Sequence, residues 1–297
     1  MKRSVCFIMV FCMLNVFLPG ILYAPKANAE EPRNINVVAS FYPMYIIALN
    51  VCKDVPGVTV ENLTPPTTGC LHDYSITTND MKKLVGADIL VANGAGMESF
   101  LDKVVAQYHG IKIVILSEGI SLINDNAGDN PHVWVSISDY IFEVKNLVKA
   151  MVSFDPVHKE LYIENEGAYI AKLEKLRLSM NSELALFKGK KIVTFHEAFP
   201  YFAREFGLDI AAVVEREPGS QPSAKELAET VDLIKRSGIK TLFAEPQYPA
   251  TAADTIAKET GASVYVLDPA VAGPDDPDAY LNIMESNLIV LRKALAQ

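Results

Sequence analysis

Between Asp155 and Phe187 the chain reads DPVHKELYIENEGAYIAKLEKLRLSMNSELALF, and this stretch decides how the rest is arranged. Asp155-Pro156 carries a helix-start signature, Asp as N-cap and Pro at the first helical position. Tyr162, Tyr169, Leu173, Leu176, Met180, Leu184 and Phe187 then recur at steps of 7, 4, 3, 4, 4 and 3. That spacing is one continuous apolar stripe on an α-helix, with no Pro after Pro156 and only Gly167 inside it. About 33 residues at about 1.5 Å each give roughly 50 Å, enough to run along a whole molecule. An exposed coiled coil would need only this stripe, but here the helix sits between two stretches of different character.

Upstream, short β-branched runs at Ile35–Ala39, Val58–Leu63, Ala87–Ala92 and Ile111–Leu116 alternate with helix-like stretches at Met44–Val51, Asn79–Val85 and Met97–Tyr108. This alternation signals βαβ units and a mainly parallel sheet. Ser138–Phe154 reads as one more helix. Downstream the same phrase returns, with strands expected at Lys191–Phe195, Asp209–Val214, Thr241–Ala244 and Ser263–Leu267. Ser223-Ala-Lys-Glu226 is a capping box that opens a helix to about Arg236, and Thr251 can cap a helix running to about Glu259. The expected fold is therefore α/β, in two lobes, each with a mainly parallel sheet flanked by helices, joined by one long rigid helix. The division is residues 1–29 as a leader, 30–154 as the amino-terminal lobe, 155–187 as the connecting helix and 188–297 as the carboxy-terminal lobe.

The leader follows from Lys2 and Arg3 ahead of an apolar run from Val5 to Tyr23, closed by Ala27-Asn28-Ala29, a small-residue cleavage pattern. A membrane anchor needs about 20 unbroken apolar residues, and Asn15, Pro19 and Gly20 interrupt this run. Bulky Phe11 before Cys12 argues against lipidation. A soluble periplasmic product cleaved after Ala29 is expected. Cleavage would remove three basic residues and no acid, taking 27 Lys and Arg to 24 against 36 Asp and Glu, a net charge of 24 − 36 = −12 in place of −9. An acidic surface argues against nucleic acid and anionic membrane as partners and suits attraction of cations. Cys52 and Cys70 would remain, and an oxidising compartment makes a disulfide the default reading. Their positions at opposite ends of the Val58–Leu63 strand place them roughly 20 Å apart at about 3.3 Å per residue. A disulfide needs Cα atoms within about 7 Å, so the geometry opposes it.

In parallel α/β sheets, ligands bind beyond the carboxyl ends of the strands. His196 follows Lys191–Phe195, Glu245 follows Thr241–Ala244, and Asp268 follows Ser263–Leu267. His72 lies in the loop after Val58–Leu63, and His132 beyond Ile111–Leu116. A lone loop histidine is ordinarily a structural residue. Three of only five histidines at strand exits, with a carboxylate at a fourth, point instead to a metal site. The other two fit structural roles: His109 ends a helix beside Gly110, where a cation suits the helix C-terminus, and His158 lies in the first turn of the long helix. Three neutral imidazoles and one carboxylate suit tetrahedral zinc, whereas manganese prefers more oxygen and copper(I) more sulfur. Binding must displace imidazole protons, so affinity should collapse as pH falls through about 6. No phosphate-binding Gly-x-x-x-x-Gly-Lys-Ser/Thr loop, Gly-x-Ser-x-Gly elbow or His-Glu-x-x-His helix is present.

Six short motifs, in order, carry a further reading: Val38-Ala-Ser-Phe-Tyr-Pro43, Leu71-His72-Asp-Tyr74, Asn130-Pro-His132-Val-Trp134, Thr194-Phe-His196-Glu-Ala-Phe199, Phe243-Ala-Glu-Pro-Gln247 and Leu267-Asp268-Pro269. With them the sequence resembles the metal-specific solute-binding proteins of bacterial ABC importers, the zinc and manganese family often called cluster 9, across nearly all of the chain beyond the leader. The resemblance implies two α/β lobes joined by one long helix, with one divalent ion held between them. It implies His72 and His132 as ligands from the first lobe and His196 and Asp268 from the second, with delivery of the ion to a membrane permease; a monomer is expected. Manganese-selective relatives tend to carry Glu at the third position, so His196 favours Zn2+ over Mn2+. As a strand-exit carboxylate Glu245 could ligate directly, but the resemblance favours a supporting role, orienting a ligand histidine or capping a loop. Three departures stand out. Val135-Ser-Ile-Ser replaces a Leu-Asp-Pro type sequence, the His- and Asp-rich loop that some zinc members use to gather metal is missing, since Asn124–Asn130 is short and has no histidine, and Cys70 stands two residues before His72 as an inert residue, a soft auxiliary ligand or a redox contact near the metal. The rival functions are a zinc hydrolase with an open fourth position for water and a metal-binding surface adhesin.

Overall fold

Short runs of β-branched and apolar residues form ten strands among the described residues of the computed structural model, which are 34–71, 74–101, 110–125, 128–214, 222–247 and 251–296. The expected leader, residues 1–29, lies outside them, as do His72, His109 and most of the helix expected over Met97–Tyr108. In the first half β1 (Ile35–Ala39), β2 (Val58–Asn62), β3 (Ile89–Ala92) and β4 (Lys112–Ile115) make a four-stranded sheet in the order β2-β1-β3-β4, every pair parallel. Its central strands are almost wholly buried. Helices cover both faces of such a sheet, so its inner strands read as unbroken apolar runs rather than alternating ones. A short antiparallel pair, β5 (Asn124–Asp125) and β6 (Gly128–Asp129), occupies the loop after β4.

The second half repeats this plan. There β7 (Lys191–Thr194), β8 (Asp209–Val213), β9 (Thr241–Ala244) and β10 (Ser263–Val266) pair in parallel in the order β10-β9-β7-β8. Counted from its own first strand, each sheet has the order 2-1-3-4. The chain therefore reverses direction across each sheet between its first and third strands, at β1/β3 and at β7/β9. That reversal opens a crevice beyond the carboxyl ends of those two strands.

Eight α-helices accompany the strands among the described residues. They are α1 (Tyr42–Val51), α2 (Thr78–Val85), α3 (Ile137–Phe154), α4 (Lys159–Leu184), α5 (Pro200–Phe206), α6 (Ala224–Ser237), α7 (Thr251–Thr260) and α8 (Ala279–Leu295). The Ser223/Glu226 capping box forms as read, and a second one, Thr77 with Asp80, opens α2. Two starts differ from the sequence reading. Ser136 caps α3 by accepting from the Asp139 amide, and Thr251 is the first residue of α7 rather than the cap before it.

The start of the long helix also differs in detail. Asp155 occupies the N-cap position, but its carboxylate turns away from the helix amides to accept from the Tyr162 hydroxyl at 2.8 Å and to pair with His158 Nδ1 at 2.7 Å. Pro156–His158 forms a 3-10 turn, α4 follows, and Ala185–Phe187 closes with another. The six stripe residues from Tyr162 to Leu184 are all buried. They pack against α3, α1 and α8. One hydrophobic core runs continuously from Val37 of β1 through Trp134, Leu147, Tyr169 and Leu173 to Phe199, Phe243 and Leu267. The long helix is therefore part of the core that both sheets share, which resists a wide parting of the two halves. Cys52 and Cys70 are both free thiols. No described helix is long and apolar enough to cross a membrane.

Candidate functional site

The strand exits at the topological reversal of the second sheet supply two buried polar residues of the site. His196 lies just beyond β7 and Glu245 directly after β9, both buried, and the His196 Nδ1 donates to Glu245 Oε1 at 3.0 Å. A carboxylate on Nδ1 fixes the ring as the tautomer whose lone pair is on Nε2, the nitrogen that then faces a cation. Glu245 Oε2 is also buried and has no hydrogen-bond partner among the described residues.

His132 comes from the first half and is 1% exposed. Asn130 Oδ1 accepts both from the His132 amide, at 3.0 Å, and from the His132 Nδ1, at 3.1 Å, so this ring too presents Nε2 as its basic nitrogen. Asn130 in turn bridges the halves. Its Nδ2 donates to the Glu197 carbonyl at 2.8 Å, and its own carbonyl accepts from Tyr201 at 2.6 Å. The His132 and His196 rings meet edge to face with centroids 4.7 Å apart. Each has thus been brought from a separate sheet and set by its own acceptor.

Cys70 is the third member of this cluster. Its sulfur and one ring nitrogen from each of His132 and His196 all lie within 4.8 Å of one another. Gly69, at φ +80°, allows the turn that brings Cys70 in, and buried Leu71 anchors it from the other side, with its carbonyl accepting from the Tyr74 amide at 3.0 Å. Burial, and then the charge of Glu245, push the Cys70 thiol well above its ordinary pKa.

Asp268 stands two residues beyond β10, half-buried, and is not one of the three clustered residues. Its Oδ1 accepts from the Ala270 amide at 2.8 Å, and Ala270 adopts a positive φ of 59° to make that turn. The Asp268 backbone is clamped from both sides by Asn287, whose Oδ1 accepts from its amide and whose Nδ2 donates to its carbonyl. Its carboxyl is held above the usual range, chiefly by burial, with the Ala270 hydrogen bond opposing, the Glu245 charge adding and the Gln247 side chain opposing. A carboxyl whose charge is made costly by burial and by a neighbouring carboxylate is in an environment that a cation would relieve.

Two supports were not legible as such in the sequence. Trp134 Nε1 donates to the Pro269 carbonyl at 2.8 Å, and the Trp134 carbonyl accepts from Tyr280 at 2.8 Å, so the residue after His132-Val also fixes the Asp268 segment. Glu98 accepts from Ser40 Oγ, the Asn93 amide and the Gly94 amide, tying together the exits of β1 and β3. Asn93 passes this on to the Pro131 carbonyl beside His132. A helix expected over Met97–Tyr108 hid Glu98, because its partners lie in two other loops.

Known proteins are similar to this chain over nearly its whole length. The high-affinity zinc uptake system protein ZnuA of Bacillus subtilis strain 168 is 30% identical over 316 residues, covering 99% of this chain and 98% of its own. Among solved structures, the SBP FpvC of Pseudomonas aeruginosa in complex with Mn2+ superposes with a TM-score of 0.81 at 28% identity, covering 89% of this chain and 98% of that one. The laminin-binding protein Lmb of Streptococcus agalactiae, described as a bifunctional protein with adhesin and metal transporting activity, gives 0.79 at 29% identity, covering 88% and 99%. Residues 37–294 match the family ZnuA, zinc-uptake complex component A periplasmic, and the chain belongs to that family.

Proposed function

We propose that this chain captures one divalent transition metal ion outside the cytoplasm, zinc ahead of manganese, and delivers it to the permease of an ABC importer. The observation that carries the reading is the buried pair His132 and His196, drawn from the two halves, with each Nδ1 held by an oxygen acceptor so that Nε2 is the basic, metal-ligating nitrogen of both rings. In this reading His72 and Asp268 complete the ligand set, one from each half. The protein is a carrier rather than an enzyme, acts as a monomer and loses its leader after Ala29. Residues 30–154 and 188–297 work as lobes about the helix 155–187.

The buried stripe of α4 favours small tilts over a wide hinge. Release then requires local movement of a ligand. Asp268 is poorly suited to swing out, because Asn287 holds both polar groups of its backbone and Trp134 holds the next carbonyl.

The test is to purify the protein under metal limitation, offer equal zinc, manganese and copper in competition, and measure the bound ion by mass spectrometry. One zinc per chain is expected, and its loss on replacing His132 and His196 together by Ala. Failure to retain any of these ions would overturn the reading. A second role as an adhesin is suggested by the likeness to Lmb and leaves the metal site in place.

A further inference from the structure

We propose that the sulfur of Cys70 is a direct ligand of the captured ion, alongside His132 and His196. The inference rests on the reading of this pocket as a metal-capture site. A buried cysteine ordinarily packs as a small apolar residue with a weak S–H donor. Cys52 fits that description, since it closes α1 against the core. Cys70 differs in what its sulfur faces: two imidazoles, each already oriented by a separate acceptor, and no more than 4.8 Å separates any two of the three donor atoms.

The geometry is close to what an ion needs. Zinc bonded at about 2.0–2.1 Å to nitrogen and about 2.3 Å to sulfur, at the tetrahedral angle, sets nitrogen and sulfur about 3.5 Å apart. Movement of about 1 Å, within the reach of side-chain torsions, closes the cluster onto an ion. On binding, the Cys70 S–H bond breaks, a sulfur–metal bond forms and the proton passes to solvent, with no change of oxidation state. The ion together with the thiolate thus carries one positive charge fewer than the free ion.

A thiolate beside two imidazoles changes which ions the site prefers. Sulfur favours zinc and softer ions such as cadmium and copper(I), and disfavours manganese, which wants oxygen.

Cobalt(II) titration of the purified full chain, followed by absorption, tests this. The expected spectrum has the visible bands of protein-bound cobalt together with a near-ultraviolet sulfur-to-cobalt charge-transfer band. Cys70→Ser should keep the visible bands, lose the charge-transfer band and lower the zinc-over-manganese preference about tenfold, the worth of roughly one ligand contact. Cys52→Ser should keep both sets of bands. Visible bands without charge transfer in the unaltered protein, or a charge-transfer band that survives in Cys70→Ser, would overturn the sulfur ligand while leaving metal capture standing. An unaltered protein that takes up neither cobalt nor zinc overturns both. Should Cys70→Ser fail to fold, the unaltered and Cys52→Ser spectra decide: the band must be present in both.

Discussion

Glu245 and His196, which leave neighbouring strands of the second sheet, meet in a buried hydrogen bond of 3.0 Å, so the orientation of the histidine is set before any ion arrives. The strand pairing β7/β9 fixes their separation, and the carboxylate fixes the tautomer. A neutral amide in place of the carboxylate would still fill the space but would no longer favour a cation on the far side of the ring. Glu245→Gln is expected to weaken zinc binding by about 10–100-fold, the usual effect of altering a residue that orients a metal-bound histidine. Calorimetric titration of the folded variant checks this. Unchanged affinity would show that Glu245 does not act through His196.

Trp134 joins the loop of His132 to the loop of Asp268 through a single hydrogen bond to the Pro269 carbonyl. Trp134→Phe retains most of the aromatic packing on Phe41 and loses that donor. The Pro269 carbonyl is left buried and unpaired, a cost of about 1–3 kcal/mol. Two readouts should move together, a lower melting temperature and a faster dissociation of zinc in stopped-flow exchange against a chelator. A variant that melts lower but releases zinc at the original rate would separate the staple from the site.

The strands, the long helix and the crevice edge were legible because each rests on a local pattern. The β-branched runs ended within two residues of the observed strands, and the 3- and 4-residue steps of Tyr162, Tyr169, Leu173, Leu176, Met180 and Leu184 mark a stripe that is buried throughout. His196, Glu245 and Asp268 were found as strand exits for the same reason. What stayed hidden is the pairing of distant groups. Nothing local to Asn130 says that it sets the His132 ring and also binds the Glu197 carbonyl, and nothing near Glu98 says that its acceptors serve Ser40 and Asn93. Cys70 was visible as an oddity, but only the fold places its sulfur against two imidazoles. The start of α4 was misread in detail because Asp155 had two competing partners, Tyr162 and His158, a turn and more along the chain.

Asp268 is a residue whose contributions to stability and to binding should oppose each other. Its carboxyl is raised above the usual range in the metal-free fold, chiefly by burial. A raised acid contributes stability below its unfolded pKa and loses it as pH rises through the folded value. At neutral pH the charged group is therefore a burden on the metal-free protein. Asp268→Asn removes the charge and should raise the metal-free melting temperature at pH 7, with little change near pH 3.5. The same change should weaken zinc binding. A variant that is both less stable at pH 7 and equally good at binding would contradict the assignment on both counts.

Glu143 lies in the middle of α3, wholly buried, and neither carboxylate oxygen has a hydrogen-bond partner among the described residues. Burial first, then the charges of Asp139 and Glu98, hold its carboxyl well above the ordinary value. The sign is the same as for Asp268: below the ordinary glutamate range the side chain is neutral in both folded and unfolded states and exacts no pH-dependent penalty. As pH rises the unfolded chain ionises while the folded one does not, so stability falls by up to about 1.4 kcal/mol per pH unit until the folded group itself ionises. Glu143→Gln has nearly the same shape and no charge at any pH. The melting temperatures of the two proteins should coincide near pH 4 and diverge upward from there, with the glutamine variant the more stable at pH 7. Glu143 is not among the residues of the candidate site, so zinc affinity at pH 7 should be unaltered. A glutamine variant less stable than the unaltered protein at pH 7 would mean that the buried carboxylate is charged and satisfied by a group outside the described residues.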